Sequence, residues 1–136
     1  MTPANQAKAV QRHLAKAREA LADSEVLLAA DRFDAASSRV YYCCFHAAKA
    51  ALVSEGVQPR THKGVNERFN LDLVSSGKIE AEYLSVLGRV QSHRESADYD
   101  VETVMTSETA RGDTEAARRF LERVRRFLNE VPASSD

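Results

Sequence analysis

The chain has no long apolar run, little cysteine, glycine or proline, and no surplus of charge of either sign, and each shortage removes a class of protein. No stretch approaches the ~20 apolar residues that span a bilayer, and residues 1–10 lack the charged-then-apolar order of a signal peptide, which points to a soluble, cytoplasmic protein. Nineteen basic residues stand against twenty acidic ones. The global electrostatic footprint of a general nucleic-acid binder is therefore missing, and any RNA or DNA contact must come from a local patch. Cys43 and Cys44 are the only cysteines and are neighbours in sequence. On a helix their side chains diverge by ~100°, too far for an ordinary bridge, and a sulfur-rich zinc site is excluded, so both read as core thiols. No metal or cofactor is expected. With 136 residues the chain suffices for one domain and one core.

Glycine and proline are scarce at five and three, Gly56, Pro59 and Gly77 mark gaps between long periodic segments, and this composition predicts an all-α chain. Residues 5–30 keep a three-four spacing through Ala7, Val10, Leu14, Ala17, Leu21 and Leu28. A second helix is expected over residues 34–54, with Asp34 as N-cap, Tyr41, Phe45, Ala48 and Leu52 as its stripe, and Glu55-Gly56 as its stop. Thr61 can cap a third helix to Val74 that buries Val65, Phe69 and Leu73. A fourth covers residues 79–97 on Tyr83, Leu87 and Val90, and its stripe extends to Arg94 and Ala97. Residues 98–106 read as a loop. The last helix, residues 107–131, repeats Ala110, Thr114, Ala117, Leu121, Val124, Leu128 and Val131, with its many charges read as a solvated surface. The expectation is an up-down helical bundle of four to five helices in one domain, residues 1–131, followed by a disordered tail, residues 132–136.

Phosphate-binding glycine loops, zinc-protease histidine pairs and hydrolase serine elbows are all absent. Two polar constellations remain. On helix two, Arg39, Tyr42, His46 and Lys49 are spaced three, four and three, which projects them from one face. Such a set can hold a phosphate or a nucleobase, or it can be a solvated boundary with a satisfied histidine. The second is the run from His93 to Asp100. There Arg94 falls on an apolar-stripe position and must find a partner, since a buried lone guanidinium costs several kcal/mol. Asp98, four residues on, can close an intrahelical pair, and the alternative makes Arg94 a phosphate ligand in a cleft.

Together, the run from Arg39 through Tyr42, His46 and Lys49 to Leu52, then Thr61-His62-Lys63-Gly64-Val65 before Phe69, then Arg94-Glu-Ser-Ala-Asp98-Tyr99, and a last helix with Ala117 and Phe120-Leu121, resemble the HEPN family, in particular its small stand-alone prokaryotic branch. The resemblance implies a four- or five-helix bundle, usually dimeric, often encoded beside a minimal nucleotidyltransferase, with several members acting as metal-independent endoribonuclease toxins. By the same resemblance His62, Lys63, Asp98 and Tyr99 join Arg39, Tyr42 and Lys49 as nucleotide- or phosphate-binding candidates, with His46 and Arg94 the candidate catalytic pair. The ribonuclease members carry an arginine followed after four to six residues by a histidine. No histidine follows Arg94 in this chain, and Tyr99 stands at the four-residue spacing. A phenol, titrating near pH 10, is a poor base at neutral pH. Arg39 and His46 do match the spacing with six residues between, although fourteen arginines and four histidines make about one such pair expected by chance.

Two functions follow. One is a dimeric binding module, with a cleft lined by Arg39, His46, Arg94 and Tyr99 that takes a nucleotide, an RNA segment or a nucleotidyltransferase partner. The other is an endoribonuclease toxin with a degenerate motif, in which Arg94 holds the phosphate and His46 or His93 activates the 2′-hydroxyl; a purely structural adaptor would need only the core stripes. Of the four imidazoles, His13 reads as solvated, His62 as opening helix three, and His93 as pointing away from Arg94. His46 is then the imidazole expected to face the cleft.

Overall fold

The computed structural model describes residues 1–102 and 104–130. Its elements are α1 (Pro3–Ala29), α2 (Phe33–Ser54), α3 (His62–Arg68), a π-helical segment (Phe69–Val74), α4 (Ala81–Tyr99) and α5 (Ser107–Glu130). The all-helical expectation holds. Val131 and the expected tail lie outside the described residues.

Local chemistry sets most boundaries. Thr2 caps α1 by accepting from the Asn5 amide at 3.1 Å, and Pro3 occupies the first turn, where its missing N–H costs nothing. Three residues then reverse the chain, with Asp31 in the left-handed region at φ 58°. Helix α2 starts two residues earlier than Asp34 capping would require. Arg32 is the cap residue and Asp34 sits in the first turn, where a carboxylate favours the positive end of the helix. At the other end Gly56, at φ 79°, closes α2: its amide reaches Val53 O at 2.9 Å while the Val57 amide reaches Leu52 O at 3.0 Å. That double bond satisfies carbonyls the helix leaves open and makes Gly56 a true stop.

Helix α2 is the axis of the bundle. It packs against α1, α3, α4 and α5, and residues on nearly all its faces are buried, among them Val40, Tyr41, Cys43, Cys44, Ala47, Ala48, Ala50, Ala51 and Leu52. A helix apolar all round belongs inside, and its alanines let the neighbours approach closely. The expected single stripe was therefore too narrow, and Phe45, one of its members, is half-buried. Burial pushes the Cys43 thiol up to about 12 and raises Cys44 as well, as befits inert core thiols.

Two segments depart from expectation in shape. Helix three is α-helical only to Arg68 and continues as the π segment, where the Ser75 amide reaches back five residues to Asn70 O at 2.7 Å. The wider turn still buries Phe69 and Leu73. Helix α4 runs on through Asp98 and Tyr99, which had read as loop, so Arg94 and Asp98 share one helix.

On α5 the charged residues are not all solvated. Asp113 and Arg123 are buried. Arg123 Nε donates to Glu80 Oε1 at 2.7 Å, and its Nη2 donates to Lys78 O at 3.0 Å and Glu80 Oε2 at 3.2 Å. This fork fixes the entry of α4 to α5. Asp113 receives His93 Nδ1 at 2.5 Å and pairs with Arg89 Nε at 3.6 Å, which ties the middle of α4 to α5.

Candidate functional site

Three pairings set the antiparallel register of α1 on α2: Gln6 with the Val53 carbonyl at 2.7 Å, His13 with His46, and Asp23 with Arg39 at 3.6 Å. The polar face of α2 therefore lies along one edge of α1. At its centre His13 Nδ1 is 3.1 Å from His46 Nδ1, and the two rings meet edge to edge, inclined by 23° with centroids 5.3 Å apart. The sequence reading of His13 as solvated is thus corrected. It occupies the margin of the stripe of Val10, Leu14 and Ala17, and that marginal position was the available signal.

Helix α4 brings Arg94 onto the same face of α2. Its guanidinium carbon lies 5.2 Å from the Tyr41 ring centroid and 5.3 Å from that of Tyr42. Arg39 reaches the Tyr42 ring at 5.7 Å, so one phenol ring serves two cations from two helices. Both arginines have carboxylate neighbours: Arg94 Nε is 3.4 Å from Asp98 and Arg39 Nε is 3.6 Å from Asp23. Charge is balanced at those distances without a directed hydrogen bond, and both Nε atoms are buried without an acceptor.

The start of α3 completes the face. Thr61 Oγ1 accepts from the Gly64 amide at 2.9 Å, as the capping expectation required. A Cβ on Gly64 would come within 3.0 Å of that oxygen and 3.3 Å of Pro59 Cβ, so the glycine permits the close turn. The turn presents His62, whose Nδ1 hydrogen-bonds the Tyr41 hydroxyl and whose ring lies 4.6 Å from that of Phe45. His62 therefore stands beside Arg94 across Tyr41, a neighbour that sequence spacing had assigned to His46 alone.

These imidazoles are neutral at physiological pH. Burial, then the His13, Lys16, Lys49 and Arg39 charges, press His46 down to about 4. His13 is lowered by burial and by Lys49 and Lys16, and His62 by burial and by Arg94. Burial raises the Tyr41 phenol, with Arg94 opposing. Each environment disfavours the charged form.

The structure thus gathers Arg39, Tyr42, His46, Lys49, His62, Arg94 and Asp98, and adds His13 and Tyr41. Lys49 rests its ammonium 5.5 Å from the Phe45 ring centroid. Lys63 is exposed and pairs with Glu67 at 3.8 Å, and Tyr99 is 77% exposed, so neither touches the cluster. His93 is committed to Asp113. The face is an open surface of rings and cations. A hollow of about 490 Å³ between α1 and α5 is lined by Gln6, Val10, Leu14, Arg18, Arg125 and Leu128, among others, and includes none of these residues. Among the described residues no three His, Cys, Asp or Glu side chains are grouped to hold a metal ion.

Comparison with known proteins gives a concordant result. The family model described as HEPN domain matches residues 10–133. A Thermotoga maritima protein named "UPF0332 protein" is 29% identical over 116 residues, 85% of this chain and 88% of its own. A Methanocaldococcus jannaschii protein named "Putative toxin MJ0605" is 31% identical over 115 residues, 85% of both chains. A Pyrococcus horikoshii "UPF0332 protein" is 40% identical over 83 residues, 61% of this chain and 58% of its own.

Proposed function

Because the chain belongs to the HEPN domain family, we propose that it is a dimeric nucleotide- or RNA-binding module, and the helical component of a two-gene, toxin–antitoxin-like pair whose other member is a minimal nucleotidyltransferase. The toxin name carried by the Methanocaldococcus relative supports the biological setting. One observation carries the molecular reading. Among the described residues neither Arg39 nor Arg94 forms a hydrogen bond, although each guanidinium is held in place by a ring and a carboxylate. Arg123, by contrast, donates three hydrogen bonds to Glu80 and Lys78 and leaves only its Nη1 without one. A guanidinium that is oriented but still holds its donors suits a phosphate, which takes two parallel N–H bonds. Tyr42 between the two arginines offers a ring beside that phosphate for a base.

Fluorescence anisotropy with a short single-stranded RNA at low salt tests the reading. Arg39→Gln and Arg94→Gln should each weaken binding about tenfold while salt sensitivity falls. Absence of binding by the wild-type dimer at high micromolar protein would overturn it. Purification of the untagged chain with a co-expressed neighbouring nucleotidyltransferase tests the partner.

The second reading, a metal-independent endoribonuclease, is favoured by the neutral imidazoles next to Arg94. Cleavage needs a base for the 2′-hydroxyl proton and a cation for the phosphorane, with proton transfer contributing roughly 10²–10⁴-fold. His62, one ring from Arg94, now joins His46 as the candidate base. A clean preparation that leaves cyclic-phosphate ends, and loses that activity in His62→Ala or His46→Ala but not His93→Ala, would establish it.

A further inference from the structure

His13 and Lys16 on α1, and His46 and Lys49 on α2, form two His/Lys pairs at the same three-residue spacing. Three residues of helix advance about 4.5 Å, and the helices are antiparallel, so the lysines fall on opposite sides of the touching imidazoles. The charges that act on the two rings from both helices are Lys16, Lys49 and Arg39, all cationic. Arg39 has its counter-charge in Asp23. Lys16 and Lys49 form no ion pair among the described residues.

The ring contact dictates the protonation pattern. Two nitrogens at 3.1 Å share one proton, so when both rings are neutral one is the Nδ1–H tautomer and its neighbour the Nε2–H tautomer. One Nε2 is then bare and the other is a donor. Uptake of a proton at the bare Nε2 yields two Nε2–H donors and one added positive charge, among lysines that already lack a counter-charge. An anion supplies what this arrangement needs.

We propose that the His13–His46 pair, flanked by Lys16 and Lys49, binds a tetrahedral oxyanion, a phosphodiester group of single-stranded RNA, and takes up one proton from solvent as it does so. The RNA part rests on the binding reading above; the oxyanion chemistry does not. The lowered affinity of His46 for protons in the free protein is then the reserve that an anion releases.

Sulfate and hexauridylate serve as probes because neither titrates between pH 5 and 8. Binding is measured at constant ionic strength, and the imidazole ¹⁵N resonances of His13 and His46 are followed. Both probes should raise the midpoint at which the pair takes its proton, and affinity should increase about tenfold from pH 7.5 to 5. Lys16→Gln, on an exposed side chain, should weaken binding several-fold with unchanged helicity. The double variant His13→Gln/His46→Gln should bind with no pH dependence. Wild-type binding that is flat with pH, or unmoved by Lys16→Gln, overturns the proposal. RNA binding that is flat with pH yet lost in Arg94→Gln removes this site and leaves the RNA reading standing. Sulfate binding with proton uptake, without hexauridylate binding, does the reverse and makes the site a receptor for a free anion.

Discussion

Arg94 on α4 and Arg39 on α2 share the ring of Tyr42, at 5.3 and 5.7 Å from its centroid. Two like charges so placed repel each other, and the fold holds them with one ring and two separate carboxylates, Asp98 and Asp23. The arrangement both positions α4 on α2 and presents cationic donors on one surface. Stability and binding therefore meet in the same side chains.

Arg94→Ala should accordingly lower stability as well as binding. It removes two cation–π contacts and a partly screened ion pair, together about 1–2 kcal/mol. Urea melts should show that loss, while Arg94→Lys, which keeps the charge but not the plane, should recover only part of it. An unchanged melting curve in Arg94→Ala would mean that the arginine serves the ligand alone.

The histidine pair makes stability depend on pH. An unfolded imidazole takes its proton near pH 6.5, whereas folded His46 resists protonation until about 4. Between those values the unfolded chain binds more protons than the fold, so stability is full above pH 6.5 and declines as the pH falls toward 4. His13 and His62, shifted in the same direction, add to the slope. After discounting for the solvent exposure of His46, its share is about 1–2 kcal/mol. Denaturant midpoints from pH 7.5 to 4.5 should fall more steeply in the wild type than in His46→Gln; equal slopes would show that His46 titrates normally in the fold.

What the sequence reveals here is what neighbouring residues decide. Thr61 as a cap and Gly56 as a stop were legible because a cap or a left-handed turn involves residues a few positions apart. The Arg94–Asp98 pair was legible for the same reason. His13 and His46 are 33 residues apart, and Arg123 and Glu80 are 43 apart. Only the register of packed helices joins them, so His13 and Arg123 resembled ordinary surface residues. The face that joins Arg39, Tyr42, His46 and Lys49 followed from helical spacing. Which other helices complete it with His13, His62 and Arg94 is a matter of tertiary packing.

Asp113 offers a test of that packing away from the candidate site. Its side chain is 6% exposed and bridges His93 and Arg89, both on α4. Asp113→Ala leaves both partners without their acid and opens a small space, a loss of about 2–4 kcal/mol. Asp113→Asn keeps an acceptor and should cost less. Under conditions where the variants remain folded, RNA affinity should match the wild type, since the clasp lies off the Arg94 face; a parallel fall in affinity would tie the clasp to ligand binding.

The dimer proposed above can be tested on the groups that the fold leaves uncovered. Arg94 and Ala97, where the helix-four stripe ends, are covered within one chain: Arg94 lies against two tyrosines and Ala97 packs on the small cluster of Leu28, Ala36, Met105 and Ala110. Just after them three of the exposed large apolar side chains fall close together in sequence: Tyr99, Val101 and Val104 are 77%, 99% and 80% exposed. Fully burying a valine contributes about 1.5–3 kcal/mol, and a twofold interface counts each valine twice. Light scattering of the wild type at micromolar concentration should return the mass of a dimer, and Val101→Asp/Val104→Asp should return that of a monomer without loss of helicity. A wild-type monomer would remove any cleft shared between two copies. A dimer untouched by both aspartates would place the contact on another face of the bundle.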